Sequence, residues 1–337
     1  MAGITLEERI EELVEQERLL QAERKQRRRR TTPRWLPAVL DIAIAGVLLC
    51  TFALFHHVIP FAADVTEPIV PPVTDNQPVT PEDNGIKAPF TAEVVRTENS
   101  YSSPNIAITV EKCTKGEGNT LVTYYVADVR LNNIECFRTA FAKDKFGKNI
   151  KEDVLPLAER HGAILATAGD YYGMNATRTV IRNGTLYRQS DQDGDLCVLY
   201  RDGTMKIFYD REPFDAEAEM ENGAWQAWSF GPSLFKKDGT PITSYGGYLS
   251  KAHPRCAIGY YEPGHYAFVV VDGRAEGYSQ GLSMVETANL MKNLGCTLAY
   301  NLDGGQTAQM AFGGAIVNQP YQDGRVVSDI LYIGEVE

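Results

Sequence analysis

Residues 297–307 read Thr-Leu-Ala-Tyr-Asn-Leu-Asp-Gly-Gly-Gln-Thr, an apolar run that ends in Asn301, Asp303 and two glycines. The first six residues suit a strand, and the glycines end it. Gly304 and Gly305 can adopt positive φ and let another group approach closely. Their N–H groups could form an anion nest, with the Asp303 carboxylate and the Thr307 hydroxyl beside them. The same residues also suit a tight turn closed by an Asx hydrogen bond.

The pattern of a short apolar run followed by a turn recurs upstream. Strands are predicted over 91–97, 105–112, 121–131, 196–200, 205–209, 256–261, 265–271 and 297–302. Asn183-Gly184, Asp202-Gly203, Asp238-Gly239, Asp272-Gly273 and Asp323-Gly324 supply hairpin-type turns. From residue 90 onward, helices are predicted only over 152–161, 215–221 and 283–294. The expected fold is α+β, a strand-rich mixed-sheet domain with a few helices, over 90–337 and preceded by one transmembrane helix.

Ahead of this domain lie three unlike segments. Residues 35–59 are apolar apart from Asp41, and 25 helical residues reach about 37 Å, enough to cross a bilayer core of about 30 Å. Arg24, Lys25, Arg27, Arg28, Arg29, Arg30 and Arg34 precede the run and little positive charge follows it. The positive-inside rule then puts residues 1–34 in the cytoplasm and the C-terminal domain outside a cell membrane crossed once. The long basic region and long apolar run point to an uncleaved signal anchor rather than a cleaved signal peptide. Residues 60–89, rich in proline, read as an extended stalk. Residues 4–23 space their apolar side chains helically, with Thr5 and Glu8 as a capping box. They suit a solvated helix or a contact for a cytoplasmic protein partner.

Residues 1–34 carry nine Lys/Arg against seven Asp/Glu and the apolar run adds only Asp41, which leaves −12 from Pro60 onward out of a chain total of −11. So acidic an outer part argues against nucleic acid as a partner. A local arginine cluster can still hold an anion. Of six cysteines, five lie in the outer part and none forms a CxxC pair. Most are read as small buried apolar residues. No zinc spacing and no GxSxG, HExxH or Walker-type motif is present, so neither metal nor cofactor is expected. Asp191-Gln192-Asp193-Gly194-Asp195 lacks the order and distal Glu of an EF-hand and reads as a hairpin tip.

Three further segments carry candidate chemistry. Arg255, just before the 256–261 strand, can project its fork into a strand-end cleft and hold phosphate or carboxylate, or form a surface ion pair. Asp170, after the apolar run 163–168 and Gly169, can serve as a catalytic carboxylate or a sugar-hydroxyl acceptor. Tyr171 and Tyr172 beside it can stack on a sugar ring, or the three can form a turn flanked by core aromatics. Ser283 and Glu286 make a capping box that fully accounts for Glu286; a role at the site would need that carboxylate freed. Asp272-Gly273 is by default a hairpin turn, followed by Arg274.

Taken together, Pro254-Arg255-x-Ala257-Ile258-Gly259, Asp272-Gly273-Arg274, Gly281 with Glu286, Asn301-Leu302-Asp303-Gly304-Gly305, Gly314, Asn318-x-Pro320 and Arg325 resemble the phosphodiester glycosidase family. The resemblance covers residues 163–333. It implies a hydrolase that cleaves the bond between a sugar anomeric carbon and a phosphodiester. It also implies Asp303 as the leading catalytic carboxylate, with Glu286 and Asp170 as candidates for the second acid–base role. Arg255, Arg274, Asn301, Gly304, Gly305, Thr307, Tyr171 and Tyr172 are the implied substrate-binding or phosphate-binding residues. Four positions depart from the family pattern. Gln306 and Thr307 follow the glycines, Cys256 stands where Thr is common, and Ala168 stands where the family usually has Asn, a side chain expected to face the pocket. The leading expectation is an extracellular hydrolase of sugar-phosphate polymers in the envelope or capsule. The alternative, favoured by Ala168, is a non-catalytic glycopolymer-binding module on the same fold.

Overall fold

The computed structural model describes residues 6–28, 35–63, 90–174, 178–190 and 193–336. The stalk over 64–89, Thr5 of the capping box, and Arg29, Arg30 and Arg34 of the basic flank lie outside the described residues, as do Asp191 and Gln192. The chain divides into two compact units, Met1–Ile59 and Pro60–Glu337.

The first unit is helical. Leu6–Arg28 forms one helix, and Trp35–Ala53 forms a second that continues through Leu54–Val58 as a wider helical turn. Among the described residues, Pro37–Val58 is the one stretch of helix long and apolar enough to cross a membrane. Its 22 residues span about 33 Å.

The second unit is built from three main sheets around one core. A seven-stranded sheet runs in the order Leu298–Leu302, Arg255–Glu262, His265–Val271, Val122–Leu131, Ile106–Lys115, Ser100–Ser102, Val95–Arg96. One five-stranded sheet centres on Leu165–Ala168 and Asp329–Ile333, the other on Ala224–Trp228 and Leu196–Tyr200. The α+β expectation holds, and the mixed sheet narrows to pairings that are antiparallel throughout those described.

Strand period explains the layering. In His265–Val271, Tyr266, Phe268 and Val270 face the central core, while Ala267, Val269 and Val271 face the other way. That second face is covered by the helix Met284–Asn293 through Met284, Ala288 and Met291. The helix Val154–Arg160 backs the sheet containing Leu165–Ala168, and Ala216–Glu221 backs the third sheet. Each sheet thus has one face on the shared core and one under its own helix. This satisfies the need to bury both faces of strands that read as apolar throughout.

The structure departs from the sequence reading in several places, and the strand predicted over 91–97 shortens to Val95–Arg96. Phe61 and Ala62, placed in the stalk, form a strand paired with Gly147–Lys148. Asp272-Gly273 does not close a hairpin. Asp272 is buried and accepts from Tyr278 Oη, Asn318 Nδ2 and the Gln319 N–H at 2.7–3.0 Å, so it ties two loops together. The described cysteines are all free thiols. Burial pushes Cys136, Cys256 and Cys296 up to about 12, which fits their reading as apolar filler.

Candidate active site

The site forms where strands of two sheets end together. Leu302 pairs with Cys256, so Asp303 and Arg255 follow at adjoining strand ends. The Asp303 N–H donates to the Gly169 carbonyl at 3.0 Å, which joins this edge to the end of Leu165–Ala168. The glycines are required by close approach. A Cβ on Gly304 would lie 3.0 Å from the Pro254 oxygen and 3.3 Å from Arg255 Cα, and Gly305 has φ +66°. The expected anion nest is corrected in part, because the Gly305 N–H is taken by the Pro254 carbonyl at 2.8 Å. Thr307 is buried and its hydroxyl donates to the Gly304 carbonyl at 2.7 Å, bracing the loop rather than facing a ligand.

Asp303 is only 7 % exposed, and Arg325 is the cation beside it at 4.0 Å. Burial raises the Asp303 carboxyl to about 6; the charge of Asp170 adds to this, while Arg325, the Thr307 hydroxyl and Lys151 oppose it. Arg325 is set in place by glutamines from the Asp303 segment. Gln306 Nε2 donates to the Gly324 carbonyl at 3.1 Å and Gln309 Nε2 to the Arg325 carbonyl at 3.0 Å. The Arg325 guanidinium sits 5.8 Å from the centre of the Tyr171 ring, and Lys151 Nζ donates to the Tyr171 hydroxyl at 3.2 Å. Tyr171 holds φ +54°, a strained conformation for a tyrosine, and stays half-buried beside these cations.

On the other flank of the glycine loop stands a cluster of cations. Arg255 is buried and donates only to the carbonyls of Leu249, Lys251 and Leu282. Arg274, exposed, lies against Gly305, where an added Cβ would come within 3.4 Å of Nη2. Among the described residues, no carboxylate approaches either guanidinium within ion-pair distance. Arg274 donates through Nε to His253 Nδ1 at 3.3 Å and through Nη2 to the Tyr248 hydroxyl, and it stacks over Tyr321. Because arginine can only donate, His253 Nδ1 must accept, and a neutral imidazole then carries its proton on Nε2. That Nε2 is buried with no hydrogen-bond partner among the described residues. Burial, then the charges of Arg274, Arg255 and Lys251, keep His253 below its usual pKa.

Several sequence candidates have other tasks. Asp170 is fully buried; it accepts from Arg182 Nη2 at 2.7 Å and from the Tyr172 and Ser229 N–H groups. Arg182 also holds Asp329 at 3.1 Å. Burial, and then the neighbouring Asp170, raise the pKa of Asp329. Asp170 therefore belongs to a sealed ion triad and reaches Asp303 only through its field. Tyr172 is buried among Phe141 and Phe146, its hydroxyl accepting from the Gly147 N–H, so it cannot stack on a sugar. Glu286 is exposed and closes the capping box with Ser283, as the bland reading had it. Asn301 gives its amide N–H to the Gly231 carbonyl at 2.7 Å and braces that loop. Ala168 packs with Ala166, Ile330 and Tyr332 in an apolar cluster, not in the site. Sequence reading takes His253, before Pro254, as a loop residue, and misses Tyr248, Lys151 and Tyr321, which have no motif of their own. Arg325 stood in the quoted pattern but was given no role.

The glycines of the motif segments explain how these pieces meet. A Cβ on Gly273 would lie 2.8 Å from both Gly281 Cα and the Pro254 nitrogen, and one on Gly281 would lie 2.5 Å from the His253 carbonyl. The Pro-Arg, Asp-Gly-Arg and Asn-Leu-Asp-Gly-Gly segments are thus packed at one place. A family model described as phosphodiester glycosidase matches residues 161–334, just over half of the chain. The chain belongs to the phosphodiester glycosidase family. The SPbeta prophage-derived uncharacterized protein YomE of Bacillus subtilis (strain 168) is 32 % identical over 250 residues, which cover 67 % of this chain and 38 % of that protein. The chain therefore spans well under half the length of that relative. Among solved structures, the zebrafish N-acetylglucosamine-1-phosphodiester alpha-N-acetylglucosaminidase catalytic domain, auto-inhibited by its pro-peptide, superposes with a TM-score of 0.57. It shares 18 % identity, with 69 % of this chain and 85 % of that one covered, a likeness of fold. This phosphodiester glycosidase domain shares that fold and assembles its motif residues at the Asp303 edge.

Proposed function

We propose that the chain is a membrane-anchored extracellular hydrolase that cleaves a sugar-1-phosphodiester bond in envelope or capsular glycopolymers. One observation carries this reading: a buried carboxylate with a raised pKa sits on a glycine loop flanked by Arg255 and Arg274, whose guanidinium groups no carboxylate pairs with among the described residues. In this reading Arg274 holds the phosphate, with the buried charge of Arg255 behind it. Tyr171 offers a ring face to the sugar. Asp303, ionised above about pH 6, faces the anomeric carbon and stabilises the positive charge that builds there. The C1–O bond breaks with its electron pair going to the phosphate oxygen, and water supplies the hydroxyl that ends on C1. The departing phosphate monoester has a second pKa near 6 and leaves with little protonation, so cationic stabilisation takes the place of a second carboxylic acid.

The apolar helix anchors the domain in the membrane, with the basic residues before it on the cytoplasmic side. The test is to incubate the full-length chain in detergent micelles with N-acetylglucosaminyl and other glycosyl phosphodiesters and to measure free sugar. Release by the wild type and not by Asp303→Asn is expected. No release from any of several sugars, with retained binding, would replace the hydrolase by a binding module.

A further inference from the structure

A basic loop lies beside the strand that follows the apolar helix. Phe61–Ala62 pairs with Gly147–Lys148, with Phe61 opposite Lys148, and the Ala63 N–H donates to the Phe146 carbonyl at 3.0 Å. The contact is tight, since a Cβ on Gly147 would fall 1.9 Å from the Phe61 oxygen. Val58, the last residue of the apolar stretch, precedes Phe61 by three residues. Chain of that length reaches no more than about 11 Å. The strand that pairs with this loop thus follows the apolar stretch after only about 11 Å of chain.

The charge of this loop departs from that of its domain. Residues 143–151 contain Lys143, Lys145, Lys148 and Lys151 against Asp144 alone, in a unit whose net charge is −12. Asp144 is already engaged by Arg160 at 2.9 Å and His161 at 2.7 Å. Lys143 and Lys145 are exposed, Lys148 is half-buried, and no described carboxylate pairs with any of the three in an ion pair. Phe61 adds an exposed aromatic ring at the same place. Clustered lysines next to a membrane span fit an anionic lipid surface.

We propose that the loop 143–148 is a membrane-contact surface that binds anionic lipid headgroups. Lys151 at the end of the loop reaches Tyr171, so the same loop joins the lipid contact to the rim of the site. The inference rests on the membrane reading of the apolar helix and not on the glycosidase reading.

The test uses the full chain in lipid nanodiscs, one set of pure phosphatidylcholine and one with a large share of phosphatidylglycerol. Lysine side chains are acylated with an amine-reactive reagent, and rates are read by mass spectrometry, with Lys236 as a control remote in sequence. Lys143, Lys145 and Lys148 should react about fivefold more slowly in the anionic discs, the factor that matches roughly 1 kcal/mol per lysine at such a surface. High salt should restore the rates, and Lys236 should not change. Equal rates in both discs would overturn the proposal, as would equal slowing at Lys236. A triple charge reversal, Lys143→Glu with Lys145→Glu and Lys148→Glu, should lose any anionic-disc effect on the activity while leaving the melting temperature unchanged; an activity effect that persists would also overturn it. Extraction of the chain from vesicles by alkaline carbonate would instead refute the span itself.

Discussion

Replacing Asp303 by Asn keeps the shape of the side chain and removes its titration. In the folded protein the carboxyl is raised from 3.8 to about 6, chiefly by burial. Below the unfolded value both states are protonated and the site has no effect on stability. As pH rises from there, the unfolded chain ionises first, and the folded state lags until about pH 6. Stability owed to the protonated carboxyl is thus present in acid and lost as pH rises. Two units correspond to about 3 kcal/mol above pH 6 and about 1 kcal/mol at pH 4.5. Asp303→Asn should therefore melt roughly 6–12 °C higher than wild type at pH 7.5, with the gap reduced to about a third at pH 4.5. Sugar release should fall roughly 10²–10⁴-fold in the same variant. The assays are thermal melts by circular dichroism across pH and kcat/KM on a glycosyl phosphodiester. A variant that melts no higher than wild type at pH 7.5 and turns over normally would refute both the buried charge and its role.

Other expectations follow from the same geometry. In wild type, kcat/KM should fall about tenfold per pH unit below about 6 as Asp303 takes up a proton, a slope absent from the rate that Asp303→Asn retains. Arg274→Met should raise KM for a phosphodiester by about tenfold or more, the worth of a charge-assisted hydrogen bond, and unchanged KM in steady-state kinetics would remove Arg274 from the phosphate. Arg182→Met leaves Asp170 and Asp329 buried without their cation and should cost about 3–5 kcal/mol in denaturant unfolding. That loss should shrink in acid, because the raised pKa of Asp329 lets a proton take the place of the guanidinium. Glu286→Ala should cost about 1 kcal/mol through the lost helix cap and leave kcat/KM intact, whereas a hundredfold loss of activity would return it to the site.

Local chemistry made much of this legible. The apolar runs at 196–200 and 265–271 became strands with those boundaries, and Asn183-Gly184, both at positive φ, forms the turn that pairing alone would select. Ser283 and Glu286 formed the capping box their spacing described. Strands such as Val180–Arg182 and Ala224–Trp228 were not read, since a short run containing Arg or Gln looks polar until its face is known. Tyr171 and Tyr172 show the limit most directly. They are adjacent and chemically alike, yet one lies beside Arg325 and the other is sealed against Phe146.

The sequence by itself determined the strand-rich domain, the apolar helix, and the presence of Asp303, Arg255 and Arg274 in segments whose glycines allow close packing. Only the tertiary structure decided which carboxylate stands at the site. Asp170 and Asp303 both follow strands and both adjoin glycines, but Arg182, distant from Asp329 in sequence, neutralises Asp170 in the core. Among the described residues Asp303 has Arg325 alone within ion-pair distance, at 4.0 Å, and burial outweighs it and raises the pKa. Ionisation depends on which charges and how much water lie within a few ångströms, and only the folded chain sets those neighbours.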